Sequence, residues 1–119
     1  MTNLIVANFK MHGTNAFIEN WFADFTKNTD ILENVVIALP ATHIAAFRDY
    51  GLVISGQNVS ANESGAFTSQ ISAEMLKDSG AGYCIIGHSE AREHLNESNK
   101  LIREKFDQLK RMQINPIVC

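Results

Sequence analysis

Positive charge is scarce and scattered in this 119-residue chain. Ten Lys and Arg residues against thirteen Asp and Glu give a formal net charge of −3, and no basic run exceeds Lys110-Arg111. General nucleic-acid and membrane-surface binders carry basic patches, so neither partner is expected. Any anion the protein handles must meet positive charge supplied locally. Cysteine is nearly absent as well: Cys84 and Cys119 both lie in apolar, strand-like runs, with no CxxC pair and no metal-finger spacing. Reduced, buried thiols of a cytosolic protein are the expectation. Long apolar runs are also missing. LIVA at 4–7 and VVIAL at 35–39 are far too short to span a bilayer. The first segment has neither a basic n-region nor a small-residue cleavage site, so no signal peptide is read.

What is present describes a packed domain. A hydrophobic content of 45% excludes a disordered chain, and the length suits one core. Five runs have strand character: LIVANF (4–9), VVIALP (35–40), VISGQN (53–58), YCIIGH (83–88) and PIVC (116–119). They are β-branched and nearly continuous rather than alternating, as in strands covered on both faces. Helical patterns separate them. Ile18, Trp21, Phe22 and Phe25 form one apolar stripe, and Ile102, Phe106 and Leu109 another in a fourth helix, with Leu101 beside it. Thr42 can cap a short second helix that Gly51 ends; Ser69 or Ser72 can cap a third that stops at Gly80.

The order β-α-β-α-β-α-β-α-β demands parallel strands joined by right-handed helical crossovers. No linker or low-complexity segment interrupts it, so residues 1–119 read as a single α/β domain. Two architectures fit: an open doubly wound sheet, or part of a closed (β/α)8 barrel. PIVC is as apolar as the interior runs and carries no edge-protecting charge, which reads as a polypeptide cut within a fifth strand.

In parallel α/β folds, chemistry gathers at the carboxyl ends of the strands. Asn8, Lys10 and His12 follow the first strand. Gln57 and Asn58 follow the third, ahead of a long loop, and His88, Ser89, Glu90 and Arg92 follow the fourth. His88 leads directly into a helix, whose N-terminal dipole disfavours the imidazolium. A neutral ring there can donate to a carbonyl oxygen, although a histidine can also merely bond its loop. Lys10 can meet an anion or oxyanion, although a lysine just past a strand is commonly only solvated. Glu90 sits in a first helical turn, where the dipole alone favours it; alternatively it pairs with Lys10 or Arg92. Gln57, Asn58 and Arg92 are left open between structural and site roles. His88-x-Glu90 matches half of a zinc deaminase signature, but the P-C-x-x-C partner is absent. His12, His43, His88 and His94 share no ligand spacing, so no metal is expected.

ANFKMHG (7–13), GQNVS (56–60), SGAFTSQIS (64–72) and IIGHSE (85–90), in that order and spacing, resemble the N-terminal half of the triosephosphate isomerase family. The resemblance covers essentially the whole chain. It implies five strands and four helices, about half of a (β/α)8 barrel. It also implies a cofactor-free cytosolic homodimer of glycolysis and gluconeogenesis. The implied reaction interconverts dihydroxyacetone phosphate and D-glyceraldehyde 3-phosphate by proton transfer through an enediolate. On this resemblance Asn8, Phe9 and Lys10 contact substrate, with Lys10 beside the phosphate and developing oxyanion. His88 is the electrophile, Ser89 and Glu90 support it, and Met11 and Thr68 belong to dimer contacts.

Several positions depart from the family pattern. Phe9 stands for a tryptophan, His12 for an asparagine, and Ser69 where glycine is common. Gln70 and Ala91 replace an acid and an arginine that pair across the dimer, which removes that contact without stranding a charge. The general-base glutamate, the lid and the later phosphate-gripping loops fall beyond residue 119. The chain alone is therefore expected not to be a competent isomerase, and to self-associate or pair with a complementary half.

Overall fold

The structure is a computed structural model that describes residues 3–28, 30 and 32–119. Five strands, β1 (Ile5–Asn8), β2 (Val35–Ala38), β3 (Val53–Gly56), β4 (Tyr83–Ile86) and β5 (Asn115–Val118), form one parallel sheet in the order β1-β2-β3-β4-β5. Ile5 pairs with Val35 through to Asn8 with Ala38, and Tyr83 with Asn115 through to Ile86 with Val118. Between them run α1 (Asn15–Asn28), α2 (Ala41–Phe47), α3 (Ala73–Ser79), α4 (Ser89–His94) and α5 (Asn99–Arg111).

The strand order decides between the two architectures. A doubly wound sheet reverses direction at a switch point; this one never reverses. With right-handed crossovers, a monotonic order puts every connecting helix on the same face, and the twisted sheet curls inside them. That is half of a (β/α)8 barrel. Val35, Ile37, Leu39, Ile54, Cys84 and Ile86 pack against Ile18, Phe22, Ile44, Phe47, Leu76, Ile102 and Leu109 of the helices in one cluster. The intervening Val36, Ala38, Ser55 and Ile85, which alternation turns to the concave face, are buried too. All of β2 is buried, whereas at the two edge strands Ile5 is 59% and Val118 57% exposed. The interior runs are thus continuous because both faces are covered.

Local signals explain most helix boundaries. Ile18 and Phe22 of the α1 stripe are buried and Trp21 and Phe25 half-buried, with Trp21 stacked on Phe25 at 4.9 Å between centroids. Ser72 rather than Ser69 caps α3, its Oγ accepting from the Met75 N–H at 3.1 Å. Gly80 closes α3 at φ 105°, where an added Cβ would lie 2.7 Å from Arg48 Cβ. Ser69 itself has φ 80°, a left-handed backbone that glycine adopts without strain.

Three expectations are corrected. Thr42 does not cap α2: Pro40 holds the cap position without a side-chain bond, and the helix ends at Phe47, before Gly51. A proline's fixed φ makes a ready helix entrance, so no hydroxyl is required. The fourth helix is two helices, because Asn96 turns left-handed at φ 53° and Ser98 caps α5 afresh through the Leu101 N–H. Cys119 is exposed, not buried, since it lies past β5 at an uncovered edge; Cys84 is buried. Burial pushes the Cys84 thiol up to about 12, opposed by the charge of Lys105. Among the described residues, no helix is long and apolar enough to cross a membrane.

Candidate active site

The carboxyl ends of β1, β3 and β4 meet at one rim. Asn8 is the last residue of β1, and the Phe9 N–H still continues the ladder to the Ala38 carbonyl at 3.0 Å. The chain then turns sharply: Lys10 has φ 54°. For a residue with a side chain, that conformation costs roughly 1–3 kcal/mol and persists only where the surroundings over-determine it. Here Asn8 Oδ1 accepts from the Lys10 N–H at 2.9 Å. Gln57, one residue past β3, donates from Nε2 to the Lys10 carbonyl at 2.9 Å. The Lys10 ammonium then reaches Glu90 Oε1 at 2.8 Å. That hydrogen bond, with the lysine's charge, holds the Glu90 carboxyl below the usual carboxylate range against a partial desolvation.

His88 arrives from β4 through Gly87, whose φ of 69° turns the chain. A Cβ on Gly87 would sit 3.0 Å from both Arg92 Nη2 and the Cys119 carbonyl oxygen. Beyond it His88 caps α4, its Nδ1 accepting from the Glu90 N–H at 3.1 Å. A ring nitrogen that accepts from an amide carries no proton there, so this bond belongs to the tautomer with its hydrogen on Nε2. The 3.6 Å approach of Nδ1 to Glu90 Oε2 is then no ion pair, because the intervening position has no proton to share. With only six residues, α4 contributes less through its summed dipole than through this one amide.

The sequence candidates therefore divide. Lys10 and His88 converge on the two oxygens of Glu90, at 2.8 and 3.6 Å. Asn8 and Gln57 brace the lysine from behind. Ser89 opens α4 at the exposed rim. The Phe9 ring packs edge-on against Trp21 at 5.0 Å and Phe17 at 6.5 Å, on the α1 side. Arg92 bonds the Gly87 and Cys119 carbonyl oxygens at 2.8 and 3.0 Å and Asn99 Oδ1 at 2.7 Å, so it ties β4, α5 and β5 together. Met11, 93% exposed, and Thr68, also exposed, stand outside the bonded group. Gln70 Oε1 accepts from Ser60 Oγ within its own loop at 2.6 Å.

Sequence reasoning missed a second polar centre. Lys105 Nζ bonds Glu97 Oε2 at 2.6 Å and Asn58 Oδ1 at 2.9 Å, and Asn58 Nδ2 donates to Glu97 Oε2 at 3.0 Å. Glu97 and Lys105 are buried, and Glu97 Oε1 has no partner among the described residues. The group lines a cavity of about 450 Å³ with Ser60, Gln70, Leu95 and Leu101. A signal existed: Lys105 falls three residues after Ile102 and four before Leu109, on the apolar stripe of α5.

Comparison with known proteins matches residues 3–119 to the family model of triosephosphate isomerase. The triosephosphate isomerase of Dichelobacter nodosus is 42% identical over 117 residues, covering 98% of this chain and 48% of that protein. The one from Deinococcus radiodurans is 39% identical over 124 residues, covering 100% of this chain and 51% of that protein. A crystal structure of triosephosphate isomerase from Bartonella henselae superposes with a TM-score of 0.85 at 30% identity, covering all of this chain and 52% of that one. The chain spans about half the length of these relatives.

Proposed function

The chain belongs to the triosephosphate isomerase family, and on that premise we propose that it supplies the electrophilic half of an isomerase site for a three-carbon sugar phosphate. One observation carries the reading: Lys10 and His88, from strands far apart in sequence, reach the same Glu90 carboxylate. An aldose–ketose interconversion moves one proton between adjacent carbons and one between their oxygens. The carbonyl must be polarised as the carbon proton leaves. The Nε2–H of a neutral His88 donates to that oxygen, and the Lys10 ammonium stabilises the enediolate charge and the phosphate. By the family pattern Asn8 and the backbone at Phe9 complete the substrate contacts, the Phe9 ring being turned to Trp21 and Phe17, while Ser89 and Glu90 hold the pair in place.

The base that removes the carbon proton is a glutamate outside these 119 residues, as the family pattern implies. The whole protein acts as a cytosolic homodimer in glycolysis and gluconeogenesis, with Met11 and Thr68 at the subunit contact, and uses neither cofactor nor metal. The test is His88→Ala in the full-length protein, where kcat should fall about 10²- to 10⁴-fold. Unchanged isomerisation would sink the role of His88. The 119-residue chain assayed alone should show no turnover at family-like rates.

A second reading has its own support. The edges at β1 and β5 leave Ile5 and Val118 more than half exposed. Open edges template further strands, which favours a non-catalytic half-barrel that self-associates or joins a complementary half. Sedimentation of the isolated chain as a monomer would count against it.

A further inference from the structure

We infer that Gln57 is a positioning residue that fixes the Lys10 ammonium by holding the Lys10 backbone; the inference rests on the role proposed above for Lys10. Gln57 stands past the end of β3, and its amide nitrogen reaches across β2 to the chain leaving β1. That nitrogen is 2.9 Å from the Lys10 carbonyl oxygen, 3.3 Å from the Ala38 carbonyl oxygen and 3.4 Å from Asn8 Oδ1. All three neighbours are acceptors. Only a donor group fits among them, and a carboxylate of the same shape would be repelled.

The geometry explains why such a group is needed. Lys10 holds a left-handed backbone, φ 54°, although it carries a side chain. Its N–H is held by Asn8 Oδ1 and its C=O by Gln57 Nε2, each at 2.9 Å. Two amide side chains from different strands thus grip the two polar groups of one strained residue. If the carbonyl grip is lost, Lys10 can relax toward ordinary backbone, and its Cα–Cβ direction turns. A long stem converts that turn into a displacement of Nζ away from Glu90. The Lys10 side chain is 51% exposed, so its backbone direction rather than packing sets where it points. Gln57 itself is poorly placed to contact substrate through Nε2, because that nitrogen already serves three acceptors.

The experiment is a double-mutant cycle on kcat/KM in the full-length protein. Gln57→Ala and the length-matched Gln57→Met should each lower kcat/KM about ten- to a hundredfold, the scale of a misplaced catalytic group. Gln57→Glu should lower it further. Added to Lys10→Ala, however, Gln57→Ala should cost less than about twofold, because the group it positions is already gone. A second readout does not depend on turnover. Carbon-13 titration of the Glu90 carboxyl should move upward toward the ordinary range in Gln57→Met, as the lysine withdraws. Additive losses, full activity in both single variants, or an unmoved Glu90 titration overturn the inference while leaving the site reading intact. If Lys10→Ala alone retains full activity, the proposed function fails and this inference fails with it.

Discussion

Two lysine–glutamate pairs sit in this chain under opposite conditions. Lys10 and Glu90 meet at 2.8 Å with side chains 51% and 48% exposed, whereas Lys105 and Glu97 meet at 2.6 Å with 7% and 4%. The charges and the bond are alike; the surroundings differ. In water a pair gains little, because solvent competes for both partners. Inside the protein each charge has lost its hydration and depends on the other, and on Asn58, for compensation. On the role proposed for Lys10, the exposed pair is the one that can exchange its partner for a substrate anion; the buried pair cannot.

That contrast can be broken most forcefully at the buried pair. Lys105→Met leaves Glu97 uncompensated and should lower stability by about 3–5 kcal/mol, read from urea denaturation. Adding Glu97→Leu should restore a large part of it, since an apolar replacement of both partners strands no charge. An equal or larger loss in the double variant would contradict this account. Next in size is Lys10→Ala in the full-length protein, expected to cost about 10²- to 10³-fold in kcat/KM with the melting temperature unmoved. A drop in melting temperature instead would make the exposed pair structural.

The smallest effect is in pH. The Glu90 carboxyl is held below its usual range by Lys10. A depressed carboxyl contributes stability above its unfolded value, near 4.3, and loses that contribution as pH falls through the folded value. The rim pair should thus be intact across neutral pH and separate only in acid. Carboxyl titration by NMR reads this directly, and Lys10→Ala should raise the midpoint.

Much of the architecture was legible because its causes are local. Continuous β-branched runs marked all five strands, and the Ser72 and Gly80 signals bounded α3. The break between α4 and α5 was missed although Asn96 and Ser98 carried it, because the residues before and after it also read as helix. At Thr42 a hydroxyl one residue inside the helix looked like a cap, while Pro40 had already set the entrance angle. Strand ends pointed to Asn8, Lys10, His88 and Glu90, since βα loops must converge there. Glu97 was not legible, and Asn58, named at the end of the third strand, was left open: their partners come from different loops and α5, and only tertiary packing brings them together. Lys105 differs, for a cation on an apolar stripe is a visible anomaly.

The uninterrupted β1-to-β5 order also bears on how the molecule comes into being. Each crossover joins consecutive strands, so no ladder has to close over more chain than one βα unit, and closure entropy grows only slowly with that length. A nascent polypeptide emerging N-terminus first can lay each strand against the one just completed. Synthesis and assembly can then keep the same pace.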